Sequence, residues 1–378
     1  MRWGIYVHIP FCRRKCFYCD FPSYAGRERY MADYTKALCR EIAAQGSLYR
    51  ERWGGPATIY MGGGTPTALP VEWMEEILCA LREVSPAVDE FTVEANPGTV
   101  DKGYLELLRR HGVNRLSLGV QSFDDALLRR IGRIHTGEDA KCAVDLARAA
   151  GFQNISLDLI YGLPGQSLEV LRESVETAVA LEVQHISIYG LQVEEGTVFA
   201  RQREMGKLEL PEEELEEAMY DCMVSELPRR GYARYEISNF ARAGHESRHN
   251  LGYWQDVPYL GLGAAAHSYL DGRRWENTAG IEEYIKCMER GESPSREEGE
   301  RTREIAMEEF SFLALRTVDG IDKEAFRKKF GCTLESVYGA VVRRLEGKGL
   351  LRDRGGKVCL TELGMKYGNL VFQEFLLA

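Results

Sequence analysis

The chain has 378 residues, 44% of them hydrophobic and 28% charged, with a net charge of −10. That length exceeds one ordinary domain and can bury a large core, no apolar run reaches the ~20 residues that span a bilayer, and the acidic balance works against non-specific attraction to nucleic acid or an anionic membrane. Ten cysteines and the absence of a signal peptide before the first strand point to a reducing compartment, the cytoplasm, where thiols stay free to bind metal.

From about residue 3 to residue 190, short β-type runs alternate with amphipathic helical stretches, the rhythm of βαβ units on a parallel sheet. The pattern predicts strands over 4–9, 58–61, 90–94, 115–119, 155–160 and 185–190, and helices over 29–45, 71–84, 102–111, 138–150 and 167–181. Gly112 and Gly151 stand where helix stops belong. Polar or glycine-rich chemistry follows each strand: Cys12, Cys16 and Cys19, then Gly62-Gly63-Gly64-Thr65-Pro66, then Glu94, Gln121, and Asp158 with Gly162-Leu163-Pro164-Gly165. Six parallel strands fit either an open doubly wound sheet or a partial (β/α)6 barrel. The strand-end chemistry favours the α/β barrel, whose loops converge on one face.

Beyond 190, Pro211 opens a helix whose Glu212, Glu213 and Glu214 suit its dipole as a solvated face. Residues 232–275, rich in Tyr, Trp, His, Asn and Gly, read as a loop-rich functional segment, and 291–300 as a polar linker. Helices over 302–315, 323–330 and 334–348, then short strands at 350–352 and 357–360 turning at Arg354-Gly355-Gly356, resemble a winged helix. The expected domains are a barrel over 1–230, a substrate-side extension over 231–290 and a helical, winged-helix-like domain over 301–378. In that last segment Lys and Arg outnumber Asp and Glu by 14 to 11. The cysteines at 39, 79, 142, 222, 287, 332 and 359 stand alone and are expected to be small buried hydrophobes.

Three thiols in one short turn, Cys12-x3-Cys16-x2-Cys19, suit an iron–sulfur cluster with one vacant position. A structural zinc site would need a fourth ligand, for which His8 is the nearest candidate. The Gly62–Thr65 run lets backbone approach a ligand closely, although a tight strand-to-helix turn would use similar residues. Together these features resemble the radical S-adenosylmethionine (SAM) superfamily. The resemblance implies that Cys12, Cys16 and Cys19 hold three irons of a [4Fe–4S] cluster, and that the amino and carboxylate groups of SAM chelate the fourth. It further implies that Gly62, Gly63, Gly64 and Thr65 receive the SAM amino group. Glu94, Gln121, Arg133 and Asp158 would then contact its ribose, carboxylate or adenine side, with Tyr6 stacking near the cluster.

Residues 6–12, 62–67, 119–123 and 158–164 resemble the coproporphyrinogen dehydrogenase-like branch, and the likeness runs nearly end to end. That branch holds the oxygen-independent dehydrogenase, which decarboxylates two propionates of coproporphyrinogen III, and the HemW-like haem chaperones. The dehydrogenase has a further cysteine where this chain has Phe21, and a long arm where only eleven residues precede Cys12. Both departures favour the chaperones. A third feature, His249-Asn250-Leu251-Gly252-Tyr253-Trp254, resembles their His-Asn-x-x-Tyr-Trp motif associated with haem. Imidazole is an ordinary axial ligand and Tyr253 and Trp254 offer aromatic surface; the alternative is that His249 and Asn250 hydrogen-bond a loop against the barrel. His267 is read as structural, with a second ligand role as the alternative.

The expected cofactors are therefore a [4Fe–4S] cluster, SAM and haem. The expected partners are haem or porphyrin, an acceptor haemoprotein (a membrane-associated one among the candidates) and an electron donor. A dehydrogenase is the runner-up. An RNA-modifying enzyme, motivated by Arg327-Lys328-Lys329 and Arg343-Arg344, is opposed by the overall acidity, and no nucleic acid is expected.

Overall fold

Runs dense in Ile, Leu, Val and Tyr form the centre of the sheet in a computed structural model that describes residues 2–297, 299 and 301–377. These are β1 (Gly4–Ile9), β2 (Thr58–Gly63), β3 (Glu90–Ala95), β4 (Arg115–Gln121), β5 (Ile155–Tyr161) and β6 (His185–Gly190). They pair in parallel in that order. Successive side chains point to opposite faces. One parity, such as Leu116, Leu118 and Val120 of β4, packs into a single core with Leu78 of the Val71–Val84 helix, Leu108 of Lys102–Arg110 and Val144 of Gly137–Ala149. The other parity of β4, Arg115, Ser117, Gly119 and Gln121, turns to a cavity on the opposite face.

The loop-rich expectation for 232–275 is corrected: this segment adds five strands to the same sheet. They are β7 (Ala233–Arg234), β8 (Asn239–Ala241), β9 (Tyr259–Leu262), β10 (His267–Leu270) and β11 (Arg273–Asn277). The predicted linker contributes a twelfth strand, β12 (Ser295–Glu297), while its Glu298 and Glu300 lie outside the described residues. The order is β12-β11-β10-β9-β1-β2-β3-β4-β5-β6-β8-β7, an unclosed barrel with β9 parallel to β1 and β8 antiparallel to β6. Glycine makes the β1–β9 approach possible. A Cβ on Gly263, whose φ is +98°, would lie 2.6 Å from the His8 carbonyl oxygen.

Two short helices, Asp125–Arg130 and Val198–Glu204, are absent from the sequence reading; each is capped by the residue before it, Asp124 and Thr197. The predicted helix over 29–45 is Met31–Glu41 followed by a π-turn, Ile42–Gly46, and a further helix, Ser47–Trp53. Cys79 and Cys142 are exposed, contrary to the buried expectation. In the C-terminal region, helices Arg303–Leu315, Lys323–Phe330 and Leu334–Gly347 pack around their own cluster of buried residues. A small sheet accompanies them: β13 (Ile321–Asp322), β14 (Leu351–Asp353) and β15 (Lys357–Leu360), in the order β13-β15-β14.

A buried carboxylate ties β9 and the Ile281–Arg290 helix to the rest. Glu41 accepts hydrogen bonds from Gly263 N at 2.7 Å, Asn277 Nδ2 at 2.7 Å and Tyr284 Oη at 2.6 Å. Glu41→Ala strands all three donors, so urea unfolding should show a loss of about 3 kcal/mol, with Glu41→Gln losing less; a loss below ~1 kcal/mol in the alanine variant would show that the network does not hold this edge.

Candidate functional site

The loop after β1 is pinned by backbone bonds before any cofactor is considered. Cys12 N donates to Tyr24 O at 3.0 Å, Tyr24 N to Pro10 O at 2.7 Å and Phe17 N to Ile131 O at 3.0 Å. Held this way, Cys12, Cys16 and Cys19 are half-buried and line one cavity of about 490 Å³ together with Gly63, Gly64, Thr65, Glu94, Gln121, Arg133 and Asp158. The structure therefore brings most of the predicted cluster and SAM residues to one place. Cys12 Sγ lies 3.6 Å from Thr65 Oγ1, and Arg133 Nη1 donates to Cys16 Sγ at 3.4 Å while Nη2 donates to Gly119 O. Burial pushes the Cys12 and Cys19 thiols up, so bare thiolates are disfavoured until a cationic centre arrives.

Among the described residues, no three His, Cys, Asp or Glu side chains are grouped to hold a single metal ion. His8, the zinc candidate, is committed elsewhere. Its Nε2 sits 2.8 Å from the Pro22 carbonyl, which can only accept, so Nε2 carries the proton and Nδ1 accepts from Tyr6 Oη at 3.0 Å. A Cβ on Gly63 would strike this ring at 2.5 Å, which is why that position is glycine. The donor set fits a [4Fe–4S] cluster. Three thiols face one cavity, an arginine already donates to one of them, and that arginine's buried Nε has no partner among the described residues and can serve a further anionic ligand.

Deeper in the cavity, Tyr60 Oη donates to Glu94 Oε1 at 2.6 Å, and burial raises the Glu94 carboxyl to about 7. Gly62 acts through the same carboxylate, since a Cβ there would lie 2.9 Å from it. Gln121 takes a left-handed φ of 68° where the β4–β5 register slips, an uncommon conformation for a non-glycine residue. Ser117 Oγ donates to Asp158 Oδ2 at 3.2 Å. Tyr6 is not on the cavity wall: it stacks on Tyr60 at 6.3 Å and donates to His8, so it backs the site. Tyr60, Arg115, Ser117, Ser187 and Tyr189 line the cavity and were missed; the signal was the alternation of polar and apolar residues along the inner strands.

The His-Asn-x-x-Tyr-Trp segment is a helix, Arg248–Trp254, that plugs the floor of the unclosed barrel. Glu90, at the start of β3, accepts from Arg248 N at 2.9 Å and His249 N at 3.0 Å. His249 is 4% exposed, stacks on Tyr60 at 5.2 Å and uses both ring nitrogens, Nδ1 with Thr58 Oγ1 at 2.8 Å and Nε2 with Tyr253 Oη at 2.9 Å. Arg316 covers the Trp254 ring at 4.4 Å, and Tyr253 packs edge-on between His249 and Tyr259. An exposed axial ligand on an open aromatic face is thus not what His249, Tyr253 and Trp254 present, because each is spent on packing. Asn250 alone of the four lines the cavity. His267 lies apart on β10, more than half exposed and 3.6 Å from Glu276.

The radical SAM superfamily model matches residues 6–178, and the HemN C-terminal domain model matches residues 302–367. The heme chaperone HemW of Bacillus subtilis is 41% identical over 374 residues, covering 98% of both chains, and that of Lactococcus lactis is 38% identical over 98% of this chain and 97% of the relative. The chain belongs to the HemW family of radical SAM proteins. Its fold is shared with coproporphyrinogen III oxidase (HemN) from Escherichia coli, with a TM-score of 0.85 at 23% identity over 99% of this chain and 90% of that one. Membership brings a [4Fe–4S] cluster and SAM as cofactors. Among the described residues no helix is long and apolar enough to cross a membrane.

The Glu94 environment has a measurable consequence. With its folded pKa raised to about 7, its contribution to stability is full below about 4.5 and is lost as pH rises through 7. Between pH 5 and 8 the cofactor-free protein should lose stability relative to Glu94→Gln, up to about 3 kcal/mol; parallel stability curves for the two proteins would contradict the buried, proton-holding carboxyl.

Proposed function

We propose that the chain is a haem chaperone of the cytoplasm, binding haem and delivering it to an acceptor haemoprotein. The observation that carries this reading is 41% identity to a heme chaperone HemW over 98% of both chains. A local feature supports it: Phe21, 63% exposed on the cavity wall, stands where the dehydrogenases of the resemblance have a further cysteine. The structural likeness to the oxidase, at 23% identity, speaks for the fold alone.

Within this reading Cys12, Cys16 and Cys19 hold the cluster, and Thr65 and Arg133 supply hydrogen bonds to its thiolates. When bound, the reduced cluster supplies a single electron for cleaving the SAM sulfonium. Gly63 and Gly64 let backbone come close to the methionine end of SAM, and Glu94 offers a carboxylate to its amino group. Asp158, oriented by Ser117, and Gln121, fixed by its left-handed backbone, serve the nucleoside side. An electron donor is required, and a membrane-associated acceptor is compatible with the reading. With both His249 nitrogens hydrogen-bonded to Thr58 and Tyr253, we place the haem ligand elsewhere.

Anaerobically reconstituted protein titrated with haem should give a saturable Soret change, and the His249→Ala variant should retain it. Supplied instead with coproporphyrinogen III, SAM and reductant, the same protein should leave the porphyrinogen unchanged. Protoporphyrinogen in quantity would overturn the chaperone reading in favour of the dehydrogenase, and a lost Soret change in the variant would restore His249 as ligand.

A further inference from the structure

Arg115 opens β4 and is 1% exposed, yet it lines the cavity that holds the cluster cysteines. Among the described residues its Nε and Nη1 have no hydrogen-bond partner and no carboxylate oxygen lies within 4.0 Å of the guanidinium. The neighbouring anions are occupied. Glu90 spends its two oxygens on Arg248 N and His249 N, Asp158 is held by Ser117, and Glu94 by Tyr60. The Tyr235 hydroxyl, also near, bonds His185 Nε2 at 2.8 Å and Ser247 N at 3.3 Å. Leaving donors of a buried charge unused costs several kcal/mol unless a ligand takes them up.

We propose that Arg115 is the anchor of a carboxylate subsite in the cavity, whose lining also includes the Asn250 amide. The planar guanidinium fork matches a carboxylate bidentately. A monoanion fits better than a phosphate dianion, because Asp158 and Glu94 line the same space. The SAM carboxylate is a poor occupant. Arg133, which touches Cys16, bonds the backbone of Gly119, four residues along β4 from Arg115, or about 13 Å at ~3.3 Å per residue. Chelation of the cluster holds the SAM carboxylate at that far end. Two sources remain for the same chemistry, a propionate arm of the tetrapyrrole or a free small carboxylate; the first rests on the haem reading above and the second does not.

The test compares wild type, Arg115→Met and Arg115→Lys, each with its cluster reconstituted, for binding of haem, haem dimethyl ester, free propionate and SAM. Wild type should bind haem about tenfold more tightly than the ester, and Arg115→Met should bind the two alike, the size expected for a charge-assisted pair. Arg115→Lys keeps the charge without the fork, so it is the second variant should the methionine substitution disturb the cavity, and it should still lose most of the discrimination. SAM affinity should stay within about twofold, which a general collapse of the cavity would not allow. A wild type that binds no haem but is thermally stabilised by propionate in an Arg115-dependent way overturns the haem reading and leaves the subsite standing, with a free acid as occupant. Discrimination and propionate response that survive both substitutions, or a loss of SAM binding in their place, overturn the subsite.

Discussion

The in-register parallel pairing of β1 with β2 on one side and β9 on the other is the constraint on which the rest depends. Gly4 lies opposite both Thr58 and Tyr259, and His8 and Ile9 lie opposite Gly62 and Gly63. A slip of one residue would exchange the faces of β1, sending Ile5, Val7 and Ile9 toward the cavity and His8 into the helical layer. The glycines at 63 and 263 are the steric conditions for this register, because one leaves room for the His8 ring and the other for the His8 carbonyl. With β1 fixed, its outgoing loop emerges beside the ends of β2 to β6, and three thiols share a wall with groups from those strands.

A polar interior within an otherwise apolar sheet follows from strict alternation. On β4 and β5 Leu116, Leu118, Val120, Ile155, Leu157 and Leu159 face the helices, while Arg115, Ser117, Gly119, Gln121, Ser156 and Asp158 occupy the other parity, with Ile160 the apolar exception among them. Low dielectric then governs the acids: burial raises both Glu94 and Asp158, and each is steadied by a hydroxyl donor, Tyr60 or Ser117. A column of rings joins the two ends of this interior. His249 on the floor stacks on Tyr60, Tyr60 on Tyr6, and Tyr6 donates to His8, whose proton is held by Pro22 beside the cluster loop.

The six central strands were legible to within two residues because buried parallel strands announce themselves as short apolar runs, and the thiol spacing announced the loop. What escaped was set by tertiary context. Strands of two to five residues between Ala233 and Asn277 carry too little periodic signal, and their glycines read as turns although they serve close strand approach. His249 looked like a ligand because imidazole beside aromatics suits haem; only the packing shows both its nitrogens taken. Arg115 was invisible for the opposite reason. A charged residue at a strand start reads as a solvated end, and its burial without partners emerges only when the floor helix and the inner strands close around it.

Ligation of the cluster by three thiols with one iron left for SAM is the central claim. Electron paramagnetic resonance of the reduced, reconstituted protein before and after SAM addition tests it directly. Three-thiol ligation predicts a [4Fe–4S]⁺ signal that shifts on adding SAM and disappears with the cluster in Cys12→Ala, Cys16→Ala or Cys19→Ala. A signal insensitive to SAM, or a cluster that survives loss of one of these cysteines, would contradict it.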